Sequence, residues 1–142
     1  MIVRSLLRHK GREVVSLKNT DTVRNAARLL AENRIGACLV MNEAGAIEGV
    51  LSERDIVRLI GTGNGDLDQS VSRIMTRNVI TCAPDDSIES IMSLMTENRI
   101  RHLPVMEDGE LAGIISIGDV VRHRLSEMES ESRAMREYIA SG

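Results

Sequence analysis

Two short segments of the chain combine residue types that could bind a nucleoside. Residues 49–55 and 113–119 each run from a glycine through two aliphatic residues to a serine, with an aspartate three residues after the serine. If a helix begins at the serine, its first turn presents unpaired amides and a partial positive charge that favour a phosphate. The aspartate can accept two hydrogen bonds from vicinal ribose hydroxyls. The pattern indicates a candidate nucleoside site at each segment.

The same residues also fit a structural role. Ser52 and Ser116 are typical helix N-caps, and Asp55 and Asp119 are favourable acids in a first helical turn. A single segment of this kind is more often a cap than a ligand site. The two roles are compatible, because one helix start can be both capped and exposed to a ligand.

Both segments belong to an internal repeat. Residues 32–35, Glu-Asn-Arg-Ile, return 65 residues later at 97–100, and beyond the next turn, one residue shorter in the second copy, the spacing becomes 64. A unit of about fifty residues is therefore used twice in a chain of ordinary domain size. We expect the two copies to pack together and neither to be stable alone.

Hydrophobic periodicity predicts the same order in each copy: strand, helix, strand, strand, helix. In the first copy the strands are expected at 14–17, 37–41 and 47–51, with helices from Thr22 and over 53–60. The second copy should repeat this with helices from Ser87 and over 117–128, and short leading helices are predicted at 2–10 and 68–75. The fold class is α+β, an α/β sandwich-like arrangement of two tandem β-α-β-β-α repeats.

The tail, residues 127–142, should continue the last helix. Leu125, Met128, Ser132, Met135 and Ile139 recur at steps of three and four, which gives the helix one apolar side. Such a side needs a partner surface. The partner surface could be the core of the same chain, if the tail folds back on it, or a second chain in a dimer. The sequence favours the two possibilities equally.

Composition excludes several classes of function. The chain has no Phe or Trp, one Tyr and a net charge of −3, so neither stacking platforms nor a basic surface for nucleic acid is available. No stretch is long and apolar enough for a membrane span and no secretory signal is visible, which predicts a cytoplasmic protein. Cys38 and Cys82 form no C-x-x-C pair and lie in apolar stretches, as expected of reduced core thiols.

The repeat resembles a cystathionine-β-synthase-type (CBS) domain pair, also called a Bateman module. The resemblance covers roughly residues 12–60 and 77–125. It rests on the Asn-Arg-Ile turn before a hydrophobic strand, as in 98–105, and on the glycine-to-aspartate signature in both copies. It implies a pseudo-two-fold, stand-alone pair: repeat 1 with its leading helix at 1–62, repeat 2 with its leading helix at 66–126, and the helical tail.

What the resemblance implies is binding without catalysis. Such modules bind AMP, ADP, ATP, NAD(H) or S-adenosylmethionine in two clefts between the copies. Asp55 and Asp119 would hold ribose hydroxyls with Ser52 and Ser116 beside them, and Val15 and Ile80 would flank adenine. The remaining predicted contacts border the clefts or reach a phosphate, and they are Gly36, Ala37, Arg54, Arg101, His102, Leu103 and Pro104.

The copies are not identical, so the clefts should differ in affinity. Arg101-His102 stand where the first copy has Gly36-Ala37. The resemblance implies that Arg101 and His102 reach the phosphate of the ligand held by the first copy, and the alternative is an ordinary solvated loop.

The predicted function is therefore a regulatory nucleotide sensor that forms a homodimer and signals to an unidentified effector protein. An enzyme is disfavoured, because no Ser-His-Asp order, metal-ligand cluster or Walker-type phosphate loop is present. The alternative is a structural dimerisation module with non-functional clefts.

Overall fold

The computed structural model describes residues 2–10 and 14–141. The chain divides into two compact units. The continuous unit is Glu13–Ile80, and the composite unit combines Met1–Arg12 with Thr81–Gly142. Mixed helices and small sheets confirm the α+β prediction.

The continuous unit contains a three-stranded sheet with two helices. Its elements are β1 Ser16–Lys18, α2 Val23–Asn33, β2 Ala37–Met41, β3 Ile47–Ser52, α3 Glu53–Thr62 and a 3-10 turn at Val71–Arg73. β2 lies in the middle, parallel to β1 and antiparallel to β3. Its burial explains why residues 37–40 are apolar throughout.

The composite unit contains two strands and three helices. They are α1 Val3–Lys10, α4 Ile88–Asn98, β4 His102–Glu107, β5 Glu110–Ser116 and α5 Ile117–Ser141. β4 and β5 form an antiparallel hairpin. Asp108 and Gly109 both have positive φ, 53° and 78°, which suits a two-residue turn and explains why the repeat shortens at this point.

The first strand expected in the second copy does not form. Only a single parallel bridge joins Cys82 to Val105 in its place. The physical reason lies in two prolines. Pro104, at the repeat position of Leu39 in β2, has no N–H to donate to a neighbouring strand, and Pro84 ends the extended segment soon after Cys82.

The leading segments pack away from the repeat that follows them in sequence. α1 contacts β5 and α5 in the composite unit, where Val3, Leu6 and Leu7 are buried. Residues 68–75, predicted to be a helix, form only the short 3-10 turn, and Val71 and Met75 join the core of the continuous unit. Each predicted repeat therefore differs from a compact unit by its leading segment.

Helix starts agree with the sequence. Thr22 accepts a hydrogen bond from the amide of Asn25, and Ser87 accepts one from the amide of Ser90, so α2 and α4 begin where predicted. Among the described residues, no helix is both long enough and apolar enough to cross a bilayer.

The tail forms one helix with the end of the second repeat. α5 continues unbroken from Ile117 to Ser141, and every residue from Met128 to Ser141 is exposed. The tail therefore does not fold back on the core, which removes one of the two alternatives left open by its apolar side.

Candidate functional site

In the continuous unit the fold brings the segment after the first Asn-Arg-Ile turn next to residues 49–55. Ala37, which opens β2, is the register partner of Ser52, which closes β3. The amide of Glu53, the first residue of α3, donates to the carbonyl oxygen of Gly36 at 2.9 Å. The start of the helix is thereby fixed against the segment that follows the Asn-Arg-Ile turn.

The composite unit repeats this arrangement. His102 is the register partner of Ser116, and the amide of Ile117 donates to the carbonyl oxygen of Arg101 at 2.8 Å. We call the two groups the first constellation, of Gly36, Ala37, Ser52, Glu53 and Asp55, and the second constellation, of Arg101, His102, Ser116, Ile117 and Asp119.

Sheet direction adds Val15 to the first constellation. β1 runs parallel to β2, and β3 runs antiparallel to both. The starts of β1 and β2 and the end of β3 therefore lie at the same end of the sheet. Val15 directly precedes β1 and is half-buried. Ile80 is half-buried outside the strands as the last residue of the continuous unit, and its contact with adenine stays a prediction.

A left-handed arginine positions each segment. Arg34 and Arg99 have φ of 54° and 53° and end α2 and α4. The preceding Asn33 and Asn98 donate from their side-chain amides to backbone carbonyls four residues earlier, at 2.8 and 2.9 Å. The triplet was predicted to be a turn, but its left-handed backbone was not predicted. The sequence does contain a signal for this backbone: the apolar pattern of the helix ends at an arginine, and no glycine occupies the C-terminal position where a left-handed residue is usual.

The serines and aspartates form capping boxes. The Ser52 hydroxyl accepts from the Asp55 amide at 3.2 Å, and Asp55 Oδ2 accepts from the Ser52 amide at 2.9 Å. In the second constellation the corresponding distances between Ser116 and Asp119 are 3.2 and 2.8 Å. The structural role is thus real at both sites.

The second carboxylate oxygen of each aspartate faces an arginine. Asp55 Oδ1 lies 3.9 Å from Arg58 Nη1, and Asp119 Oδ1 lies 2.8 Å from Arg122 Nη2. The aspartate side chains are 11% and 10% exposed. These arginines were not among the predicted site residues, although they occupy matching positions in the repeat, three residues after each aspartate.

The remaining predicted residues differ in accessibility. Arg54 and Arg101 are exposed and His102 is half-buried. Leu103 and Pro104 are buried inside β4. Their burial gives them a core role, and their contact with a ligand stays a prediction.

A surface groove of about 540 Å³ lies beside the first constellation, between α2 and α3. Gly36 and Glu53 line it together with Ala27, Ile56 and other apolar side chains, whereas Ser52 and Asp55 do not. The groove therefore borders the capping box without containing it.

Neither cysteine is a nucleophile. Burial raises the pKa of Cys38 and of Cys82 to about 12, and the nearby Asp21 and Asp86 carboxylates add to the effect. Both thiols stay protonated near neutral pH, so they serve as apolar core groups. Within residues 2–10 and 14–141, no group of three or more His, Cys, Asp or Glu side chains could hold a metal ion.

Known proteins are similar to this chain in sequence and in fold. A mitochondrial CBS domain-containing protein of Arabidopsis thaliana, CBSX3, is 38% identical over 127 residues, which cover 86% of this chain and 62% of that protein. The chain thus spans less than two thirds of that relative.

Solved structures extend the comparison. The CBS-domain protein ATU1752 of Agrobacterium tumefaciens is 44% identical with a TM-score of 0.83, covering 87% of this chain and 92% of its own. The CBS domain protein PAE2072 of Pyrobaculum aerophilum, solved in complex with AMP, is 34% identical with a TM-score of 0.76, covering 84% and 89%.

The family model of the CBS domain matches twice, at residues 3–62 and 71–126. Each match contains one Asn-Arg-Ile turn and one capping box, the two features that the fold joins within each unit. The chain therefore belongs to the CBS domain family and carries two CBS domains.

Proposed function

We propose that this protein is a regulatory module that binds adenosine-containing nucleotides and signals through another protein. Family membership supports binding rather than catalysis, and the AMP complex of the Pyrobaculum relative supports the adenosine class. Candidate ligands are AMP, ADP and ATP, followed by NAD(H) and S-adenosylmethionine. The proposal assigns no enzymatic step to the protein.

The observation that carries the proposal is the duplicated constellation. In each unit a capped helix start is tied by one backbone hydrogen bond, 2.9 or 2.8 Å long, to the segment after the Asn-Arg-Ile turn. A cap alone needs only the serine and the aspartate. The tie holds the segment after the turn beside the helix start in both copies, so a ligand at either helix start could use both segments.

Asp55 and Asp119 are the proposed ribose acceptors. Each already accepts one backbone hydrogen bond through Oδ2, which fixes the carboxylate in place. The Oδ1 atoms face Arg58 and Arg122 on the second turns of α3 and α5. A bound ribose would share these oxygens with the arginines, whose positive charge would also favour a phosphate.

The phosphate contacts proposed from the sequence are Arg54, Arg101 and His102. Arg54 and Arg101 are exposed and carry a full positive charge at neutral pH. Gly36-Ala37 offers no side-chain donor at the position of Arg101-His102, so we propose that the two sites differ in affinity.

Replacing both aspartates by asparagine tests the proposal. Asparagine keeps an oxygen for the backbone hydrogen bond, so Asp55→Asn/Asp119→Asn should lose no more than about 1 kcal/mol of unfolding free energy per site. Nucleotide at 100 times its dissociation constant stabilises the native protein by about 2.7 kcal/mol. We expect the double variant to lose that gain for AMP, ATP and NAD, measured by thermal melting.

Glu89→Gln is the matched control. Glu89 is a first-turn acid of α4, a helix that contributes no residue to either constellation. This variant removes the same charge from a helix start and should retain the full nucleotide response. A double aspartate variant that still responds fully to all three nucleotides would refute the ribose assignment. Comparing adenosine with AMP in the Arg101→Ala variant would then separate the phosphate contact from the solvated-loop alternative.

Other parts of the proposal concern partners and location. We propose a homodimer and an effector protein that responds to the bound state. If the protein is folded but no adenosine compound raises its melting temperature, the alternative function, a structural dimerisation module, is favoured. We propose a cytoplasmic location, and because a relative is mitochondrial, organelle fractionation is the appropriate check.

A further inference from the structure

The outer side of α5 carries an apolar stripe that its own chain leaves exposed. Val121, Leu125 and Met128 are 47%, 54% and 60% exposed, and Met135 and Ile139 are 60% and 70% exposed. Such side chains on a long helix lose hydrophobic stabilisation unless a partner covers them.

The stripe is distinct from the side of α5 that packs on its own unit. Val120 is fully buried, and His123 and Glu127, three and seven residues further along the helix, are half-buried. The helix therefore has an inner side that belongs to the composite unit and an outer side that does not.

The spacing of the outer residues is that of a coiled coil. Leu125, Ser132 and Ile139 are seven residues apart, as are Val121, Met128 and Met135, and the two series alternate in steps of four and three. A strict seven-residue repeat follows a helix that supercoils around another, whereas a period of 3.6 would follow a straight one. With Leu125 in the first heptad position, a, Met128 takes the fourth, d.

The residues that flank the stripe carry complementary charges. Arg124 and Glu131 occupy position g, and Arg122, Glu129 and Arg136 occupy position e. In a parallel, in-register pair, position g of one helix faces position e of the next heptad in the other. Arg124 then meets Glu129 of the second copy and Glu131 meets its Arg136, which gives four attractive pairs by symmetry.

An antiparallel pair gains less. It places e against e and g against g, so the register that joins Glu129 to Arg136 sets Glu131 against the uncharged Tyr138. Only two attractive pairs remain. Shifting by one heptad opposes Glu129 to itself, which is repulsive. Shifting by two heptads joins Arg122 to Glu129 and Arg124 to Glu131, but it sets Met135 against Gly118 and leaves Ile139 beyond the start of the other α5.

We propose that the occupant of this stripe is α5 of a second copy, in a parallel, in-register coiled coil from Val121 to Ile139. The parallel seam covers the whole stripe, Met135 and Ile139 included, and also gains four attractive charge pairs, a combination that none of the antiparallel registers reaches. It joins the composite units of two chains head to head. The proposal concerns the dimer alone and does not depend on nucleotide binding.

Disulfide cross-linking of the full-length chain tests direction and register. In the proposed seam Ser132 lies opposite Ser132 of the second copy, so Ser132→Cys should give a disulfide-linked dimer under mild oxidation. Ser130→Cys is the matched control, because Ser130 is equally exposed but lies at position f, away from the seam. Cys38 and Cys82 are 1% and 6% exposed and contribute little background.

The readout is the fraction of dimer on a non-reducing gel. Abundant dimer with Ser132→Cys and little with Ser130→Cys supports the seam. Equal cross-linking of both variants would show random collision and overturn it, as would no cross-linking of Ser132→Cys.

A charge exchange tests the pairing of g with e. Glu131→Arg places two arginines together on each side of the seam and should weaken dimerisation on the order of tenfold, measured by sedimentation on dilution. Adding Arg136→Glu should restore the wild-type affinity. In an antiparallel pair the added change would oppose Glu129 or meet no charge, so a double variant that dimerises no more strongly than the single one overturns the proposal. A wild-type chain that stays monomeric at high concentration also overturns it.

Discussion

At the scale of single residues, the left-handed arginines are the least expected feature. Arg34 and Arg99 adopt φ of 54° and 53°, where a side chain costs roughly 1–2 kcal/mol relative to a right-handed residue. Glycine would adopt this backbone without that cost. Both copies nevertheless carry arginine at the turn that leads into a constellation.

We predict that Arg34→Gly and Arg99→Gly each raise the free energy of unfolding, by about 0.5–1 kcal/mol, because relief of the left-handed strain exceeds the extra freedom of glycine in the unfolded chain. Urea titration measures the change. Arg28→Gly is the control: Arg28 is exposed within α2, where glycine should lower stability by roughly 1 kcal/mol relative to a good helix former. Lower stability in both turn variants would mean that the arginine side chains stabilise the folded state by more than the left-handed backbone costs.

At the scale of elements, two glycines permit close approach between β-strands and their neighbours. A Cβ atom at Gly49 in β3 would lie 2.6 Å from Met75 Sδ and 2.8 Å from the backbone oxygen of Thr76. The equivalent Gly113 in β5 would meet only a methyl group of Leu7, at 2.7 Å. At Gly49 the added atom would meet backbone, which cannot easily move, whereas at Gly113 it would meet the flexible end of a leucine side chain.

We therefore predict that Gly49→Ala is more destabilising than Gly113→Ala. Thr76 is held by reciprocal backbone hydrogen bonds with Val50, both 2.9 Å, so a methyl group at Gly49 must displace backbone and should cost about 1–3 kcal/mol. Leu7 can change rotamer, which should keep the cost of Gly113→Ala below that of Gly49→Ala. Urea unfolding of the two variants checks the order, and an equal or reversed order would show that β3 moves more easily than β5.

At the scale of the whole molecule, the compact units and the sequence repeats are different segments. The repeat 1–62 contains α1, whose buried side chains pack in the composite unit, and lacks Val71 and Met75, which belong to the core of the continuous unit. The segment Glu13–Ile80 contains that entire core.

We predict that a fragment of residues 13–80 retains more structure than a fragment of residues 1–62. The first keeps every residue of the continuous core, whereas the second loses Val71 and Met75 and leaves Val3, Leu6 and Leu7 without their partner. Circular dichroism during urea titration should show more helix and a steeper transition for 13–80. Cooperative unfolding of 1–62 alone would contradict the division into units.

Features held by residues close together in the chain could be predicted before the fold was known. Thr22 and Ser87 predicted the starts of α2 and α4, and the alternation of apolar and turn residues predicted β2, β3 and their hairpin. Caps and tight turns are satisfied by hydrogen bonds within three or four residues, so local sequence contains the whole interaction. The duplicated serine and aspartate were likewise sufficient to locate both constellations.

The packing of segments far apart in the chain became evident only in the folded structure. α1 joins β5 and α5, the segment before the second repeat joins the first core, and the expected strand near Cys82 shrinks to one bridge. These outcomes depend on contacts between residues far apart in sequence, where a similar apolar stripe could fit more than one surface. The same reason explains the tail: its periodicity was visible in the sequence, but its exposure required knowing that no surface of its own chain covers it.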